Sequence, residues 1–145
     1  MNVLDLYTYA QQQNIEVIET SLPENGSLSL MDDEGRCYIG IDQSVMDGDA
    51  LERVHMGHEL GHCVTGSFYN LYSPFDLRQR HENRADKWAI KQLVTEDALD
   101  EAVAEGCCEI WNLAERFGVT EQFMKKAVCY YVHGNVAAEL YFLRT

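Results

Sequence analysis

The run His58-Glu59-Leu60-Gly61-His62 constrains this chain's fold as much as its chemistry. Two histidines four positions apart project from one face of an α-helix, separated by about 6 Å along its axis, which is close enough to share a single zinc ion. The glutamate between them stands at the edge of that face. This is the pattern of a zinc peptidase, and it requires the segment to be helical. A catalytic zinc also needs a third protein ligand and an open position for water, so the chain must bring another carboxylate, histidine or cysteine back to the same point.

Glu82 stands twenty residues after His62 and opens the run Glu82-Asn83-Arg84-Ala85-Asp86-Lys87-Trp88-Ala89-Ile90. Ala85, Trp88, Ala89 and Leu93 recur there at helical spacing, which predicts a second amphipathic helix with Glu82 and Asp86 one turn apart on a shared face. One carboxylate of such a pair can bind metal while the other supports the site. A metal-bound histidine gives its remaining ring N–H to a carboxylate or carbonyl, and Asp86 is the candidate for that supporting role. His55 lies on nearly the same stripe as His58 and His62 and is a rival ligand by angle, but pairing it with His58 would strand His62; a structural or cleft-edge role fits it better.

With these residues in place, the stretch from Arg53 to Leu93 resembles the ImmA/IrrE metallopeptidases of bacteria and their mobile elements. The resemblance implies a gluzincin-like site: zinc ligands at His58, His62 and Glu82, and a catalytic glutamate at Glu59. It also implies a short helix and small sheet before the zinc helix, with further helices after the glutamate helix. One departure is visible, since many members carry a Leu-Met-Pro-like turn where this chain reads Leu93-Val94-Thr95-Glu96.

The expected fold class is therefore α+β, mostly helical, with a small three-stranded antiparallel sheet near the N-terminus. A chain of 145 residues with 46% hydrophobic residues suits one core, and a single domain over 1–145 is expected: helix and sheet in 1–43, zinc and glutamate helices in 44–94, further helices in 95–145. The first helix is read at Asn2 to Gln13 and a strand at Ile15 to Leu22. Ser27 to Met31 and Arg36 to Ile41 flank Asp32-Asp33-Glu34-Gly35 as a hairpin. The zinc helix is expected to start near Ser44 or Asp47 and to end before Gly66. Gly66 to Asp76 reads as a loop rich in aromatics, with Pro74 barring regular structure, placed either along the cleft or against the core. Helices are expected at Glu96 to Ala104, Glu109 to Phe117 and Glu121 to Val132.

Composition narrows the partners. Neither a signal peptide nor an apolar run long enough to cross a bilayer is visible, and a cytoplasmic location is expected. The five cysteines, Cys37, Cys63, Cys107, Cys108 and Cys129, show no paired spacing, so free thiols are expected rather than disulfides or a cysteine zinc site. With 11 basic against 24 acidic residues and a net charge of −13, the chain is poorly suited to bind phosphate backbones, and no direct nucleic-acid or membrane binding is expected. Leu113 to Thr120 followed by a helix has the look of a helix-turn-helix. The would-be recognition helix, however, carries Phe123, Met124, Val128 and Tyr131 with only Lys125 and Lys126 as cations, which suits packing better than a groove. Arg78, Arg80, Arg84 and Lys87 cluster beside Glu82 and read either as a solvated helix face or as a basic rim.

The chemistry these residues imply is metal-assisted amide hydrolysis with Zn2+ as cofactor and Glu59 as the base. Donors for a developing oxyanion are open among His81, His133, Tyr69 and Tyr72. The family resemblance implies a protein substrate, a helix-turn-helix repressor of a prophage or mobile element, to which an acidic enzyme would be drawn. The alternative reading is a noncatalytic antirepressor that uses metal only to hold its fold.

Overall fold

The computed structural model describes residues 1–69 and 72–142. Helix α1 spans Val3–Gln12 and opens with a reciprocal cap: the Asn2 side chain accepts from the Asp5 amide at 2.8 Å, and the Asp5 carboxylate accepts from the Asn2 amide at 2.9 Å. Two amides that a helix start leaves without partners are satisfied in this way. Leu6 and Ala10, one turn apart, form its buried stripe.

Three strands follow, β1 at Glu16–Glu19, β2 at Ser27–Met31 and β3 at Cys37–Ile41. The expected hairpin is present: β2 and β3 pair antiparallel from Ser27 opposite Ile41 to Met31 opposite Cys37. Asp32 organises its turn by accepting from the amides of Glu34 and Arg36, and Gly35 takes the left-handed conformation at φ 83°. The expectation of an all-antiparallel sheet is corrected. β1 pairs with β3 in parallel, Glu16 opposite Tyr38 through Glu19 opposite Ile41, so the order is β1-β3-β2 and the sheet is mixed. The physical reason lies in residues 20–26, which carry the chain past the place where β3 inserts. Asp42 anchors that connection, its carboxylate accepting from the Leu22 amide at 2.7 Å while its own amide donates to the Gly26 carbonyl at 2.8 Å. As the middle strand, β3 is the most buried, with Cys37, Ile39 and Ile41 alternating onto one face.

Helix α2 runs Asp49–Thr65, starting later than its sequence suggested because Gln43–Val45 forms a separate 3-10 turn capped by Asp42 and Gly48 then turns the chain at φ 94°. It ends where expected, at Gly66 in the left-handed conformation. Helix α3, Phe75–Leu93, begins well before Glu82. Pro74 starts it rather than merely interrupting a loop, since the first turn of a helix needs no amide from that position. Helices α4 (Glu96–Ala104), α5 (Ile110–Phe117) and α6 (Glu121–His133) lie close to their expected bounds. Thr95 and Thr120 cap α4 and α6 through their hydroxyls, and Gly118 closes α5. α6 buries Phe123 and Met124 of the apolar set that spoke against a recognition helix, together with Ala127 and Cys129, while Val128 and Tyr131 are half-buried against the core.

The central packing event is α2 against α3. Met56 and Leu60 of α2, Ala89 and Ile90 of α3 and Ile39 of β3 are fully buried in one cluster, which α1 and α6 close with Leu6 and Met124. Within it Gly57 and Gly61 face Ala89 and Ala85. A β-carbon at Gly57 would lie 3.0 Å from Leu93 Cδ1, and one at Gly61 would lie 2.9 Å from Ala85 Cα and clash with the Ala85 carbonyl oxygen. The two backbones touch because position 61 has no side chain.

The expectation of free thiols fails at one pair. Cys37 and Cys63 form a disulfide that ties β3 to α2, with Cα atoms 5.9 Å apart and 26 residues of sequence separation. Local spacing cannot reveal such a bond, because the strand and the helix meet only after folding. Cys107, Cys108 and Cys129 are free, as expected. Among the described residues no helix is long and apolar enough to cross a membrane.

Two outcomes follow from this packing. Gly61→Val should destabilise the protein by roughly 1–3 kcal/mol, through backbone separation at the α2–α3 seam, as read from urea denaturation. Cys63→Ser should lower the stability of the oxidised protein by about 3–4 kcal/mol, the loop-closure effect of a bond of this span, while the same change under reducing conditions should have little effect.

Candidate metal centre and cleft

His58 and His62 stand one turn apart on α2, and the α2–α3 seam sets Glu82, on α3, opposite them. The two histidine Nε2 atoms are 3.1 Å apart. Glu82 spans them, Oε2 lying 2.8 Å from His58 Nε2 and Oε1 lying 3.0 Å from His62 Nε2. Among the described residues these three form the group able to hold a metal ion, with their ligand atoms all within 4.8 Å of one another.

Each histidine is oriented from behind. His58 Nδ1 donates to Asp86 Oδ1 at 2.7 Å, and His62 Nδ1 donates to the Ser67 carbonyl at 2.5 Å. Both rings thus present Nε2 to one point, which is how metal-binding histidines are held in the required tautomer. Sequence reasoning named Asp86 for such support but missed Ser67. The fully buried Ser67 returns to α2 because Gly66 reverses the chain at φ 67°, and the Thr65 hydroxyl lies 2.6 Å from Ser67 Oγ to brace the turn. Lys126 of α6 was missed as well. Its Nζ lies 3.1 Å from Asp86 Oδ2, so Asp86 is held between a lysine and a histidine.

The donor set suits a zinc-sized cation. Ligand distances near 2.1 Å in a tetrahedral site separate ligand atoms by roughly 3.4 Å, and the observed separations of 2.8 to 3.1 Å would open by about half an ångström or less. Two neutral imidazoles and one carboxylate are also what a catalytic site uses while keeping a position free for water.

Electrostatics tie the group together. Burial disfavours the charged His58 ring, but hydrogen bonds to Asp86 and Glu82 outweigh it and hold its pKa up at about 10. Burial would raise Glu82 and Asp86, yet their contacts with His58, joined by His62 at Glu82 and by Lys126 at Asp86, hold both carboxyls below their usual range. Without metal, the protonated His58 ring therefore bridges the two carboxylates, its Nδ1–H donated to Asp86 and its Nε2–H to Glu82. Tyr69 donates its hydroxyl to Glu82 Oε1 at 2.7 Å, and burial, together with that hydrogen bond, pushes the phenol up to about 12.

The three residues open onto a cleft of about 680 Å³, walled by β2, α2, the segment after α2, α3 and the start of α6. Glu59 lines it and is 7% exposed. Its carboxylate accepts from the hydroxyls of Ser27 at 2.7 Å and Ser29 at 2.8 Å, both on β2 and both missed by sequence reasoning. His55 lies outside the metal group, with Nδ1 2.6 Å from Ser27 Oγ. Of the four residues left open as oxyanion donors, Tyr69 lines the cleft and stacks on His81, Tyr72 is exposed, and His133 stacks on Tyr141. The aromatic loop divides: Phe68 packs on the core and also lines the cleft, whereas Asn70 and Leu71 lie outside the described residues. Lys126 brings a cation to the cleft wall, while Arg80 pairs with Asp76 on the exposed side of α3.

A family model for the IrrE N-terminal-like domain, Peptidase_M78, matches residues 10–128. No curated protein and no solved structure matches the chain.

Because a metal ion must displace the proton on His58, binding is linked to pH. The sign follows from the raised pKa: below about pH 10 His58 is protonated in the metal-free protein, so affinity should rise with pH by about tenfold per unit. Calorimetric titration with Zn2+ at pH 7 in buffers of different ionisation enthalpy should show about one proton released. Asp86→Ala should weaken zinc binding by roughly 10- to 100-fold, measured by competition with a chromogenic chelator.

Proposed function

Starting from the fact that the chain belongs to the IrrE N-terminal-like family of metallopeptidases, we propose that it is a zinc-dependent endopeptidase acting on a protein substrate. The observation that carries this reading is the convergence of His58 Nε2, His62 Nε2 and both Glu82 oxygens on one point, with each imidazole already tethered through Nδ1. His58, His62 and Glu82 would hold the metal and Asp86 would orient His58. A divalent cation there supplies a water of lowered pKa and a Lewis acid for the scissile carbonyl.

The rest of the mechanism belongs to the chain. Glu59 takes the proton of the attacking water and delivers it to the leaving nitrogen, which expels the amine as the C–N bond breaks. Two of the roughly four acceptor positions of a carboxylate are used by Ser27 and Ser29, which leaves others for that proton. Tyr69 gives its hydroxyl proton to Glu82 in a hydrogen bond in the metal-free site and has a pKa high enough to keep it; turning that O–H from Glu82 to the carbonyl oxygen would stabilise the oxyanion as the carbonyl carbon becomes tetrahedral. The β2 and α6 walls hold the polypeptide across these groups.

The substrate we infer is a helix-turn-helix transcriptional repressor of a prophage or mobile element, cleaved in the cytoplasm. Support comes from the family resemblance and from the net charge of −13, which attracts a basic DNA-binding protein. In that compartment Cys37 and Cys63 would be reduced.

Incubation of the zinc-loaded protein with the regulator encoded beside it tests the reading. Fragments that vanish with chelator are expected; a stable complex without fragments would point instead to a noncatalytic antirepressor. Glu59→Gln should keep the zinc stoichiometry and lower kcat by roughly 10²- to 10⁴-fold. Wild-type turnover by that variant would remove Glu59 from the role of base.

A further inference from the structure

We propose that Ser27 and Ser29, backed by His55, are positioning residues for Glu59: a two-hydroxyl cradle on β2 that fixes the direction in which the carboxylate faces the cleft. This rests on the peptidase reading above and goes beyond it, because neither the zinc motif nor the metal ligands call for a serine pair on the sheet.

Ser27 and Ser29 are two positions apart on a strand, so their side chains leave β2 on the same face. That face meets α2. Register fixes the pair from the other side, with Ser27 opposite Ile41 and Ser29 opposite Ile39 on β3. Each hydroxyl reaches a different oxygen of Glu59, Ser27 Oγ to Oε2 at 2.7 Å and Ser29 Oγ to Oε1 at 2.8 Å. One hydroxyl would leave the carboxylate free to swing about the bond to it, whereas two on separate oxygens fix its plane. Glutamate has three rotatable side-chain bonds and loses much rotamer freedom when held, and the strand supplies that restraint before any substrate arrives.

His55 orients the cradle in turn. An ionised carboxylate only accepts hydrogen bonds, and a serine hydroxyl has a single proton. That proton goes to Glu59, so the 2.6 Å contact between Ser27 Oγ and His55 Nδ1 must be an N–H donated by the ring. The order is set: His55 to Ser27, Ser27 to Glu59. Burial lowers the His55 pKa and favours the neutral ring that this arrangement uses. Gly26 makes room for it, since a β-carbon there would come within 3.1 Å of His55 Cε1.

The test uses the full chain, loaded with zinc, and the fluorescently labelled neighbouring regulator as substrate. Ser27→Ala and Ser29→Ala should each lower kcat by roughly tenfold, and the double variant by roughly 100-fold, with KM and zinc stoichiometry unchanged. Ser29→Thr, which keeps the hydroxyl, should restore kcat. A crystal structure of the metal-free Ser27→Ala/Ser29→Ala protein supplies a readout independent of turnover: Glu59 should leave the orientation it has here. The proposal is overturned if the double variant turns over like wild type, if Thr at position 29 is as damaging as Ala, or if Glu59 keeps its orientation without both hydroxyls. An inactive wild type together with a displaced Glu59 in the double variant would uphold the cradle and reject the peptidase reading instead.

Discussion

The contact on which the rest of this molecule depends is the close approach of α2 and α3 at Gly61 and Ala85. There the helix backbones meet with no side chain between them at position 61, and the clearance is too small for even one methyl group. This proximity lets Glu82, whose side chain is short, reach both imidazoles from a separate helix, and lets Asp86 one turn further reach behind His58. The same separation seals Leu60, Ala89 and Ile90 in the core. Core packing and site geometry are therefore one constraint, because a shift that loosens the first moves the ligand atoms of the second.

Around that seam the polar side chains form two connected sets. One runs from Lys126 through Asp86 to His58 and Glu82 and on to Tyr69. The other runs from His55 through Ser27 to Glu59, with Ser29 on the remaining oxygen. Burying carboxylates costs several kcal/mol each unless they are hydrogen-bonded or paired, and each set supplies those partners from a different part of the fold. Glu82 and Asp86 are satisfied by imidazole and ammonium, and Glu59 by neutral hydroxyls. The contrast separates their surroundings: the first two carboxylates sit where positive charge is held, and the third sits among neutral hydroxyls.

The sheet contributes more than its small size suggests. β3 threads between β1 and β2, which puts β2 at the edge of the sheet and alongside α2, with Ser27, Leu28 and Ser29 lining the cleft. A meander with β2 in the middle would pair it on both sides and place another strand where the cleft opens. Cys37 of β3 and Cys63 of α2, one residue beyond His62, lie with their Cα atoms 5.9 Å apart, so the sheet packs directly on the helix that carries the two histidines.

The helices, the β2–β3 hairpin, the glycine that ends α2 and the pairing of His58 with His62 were legible in the sequence because each rests on local spacing, whereas Glu82 as their partner was what the family resemblance implied. Periodicity of 3.6 places His58 with His62 and Glu82 with Asp86, and a cap or a left-handed glycine ends a helix wherever it occurs. What only the tertiary structure decided involves residues far apart in sequence that carry no mutual signature. Such are the parallel pairing of β1 with β3, the Cys37–Cys63 bond, the Ser67 carbonyl behind His62, Lys126 behind Asp86, and the hydroxyls beneath Glu59. Serines on a short strand and a lysine on a late helix are ordinary in isolation; their roles arise from where packing brings them. Gly61 belongs to both accounts, written inside the zinc motif yet explained only by the helix that lies against it.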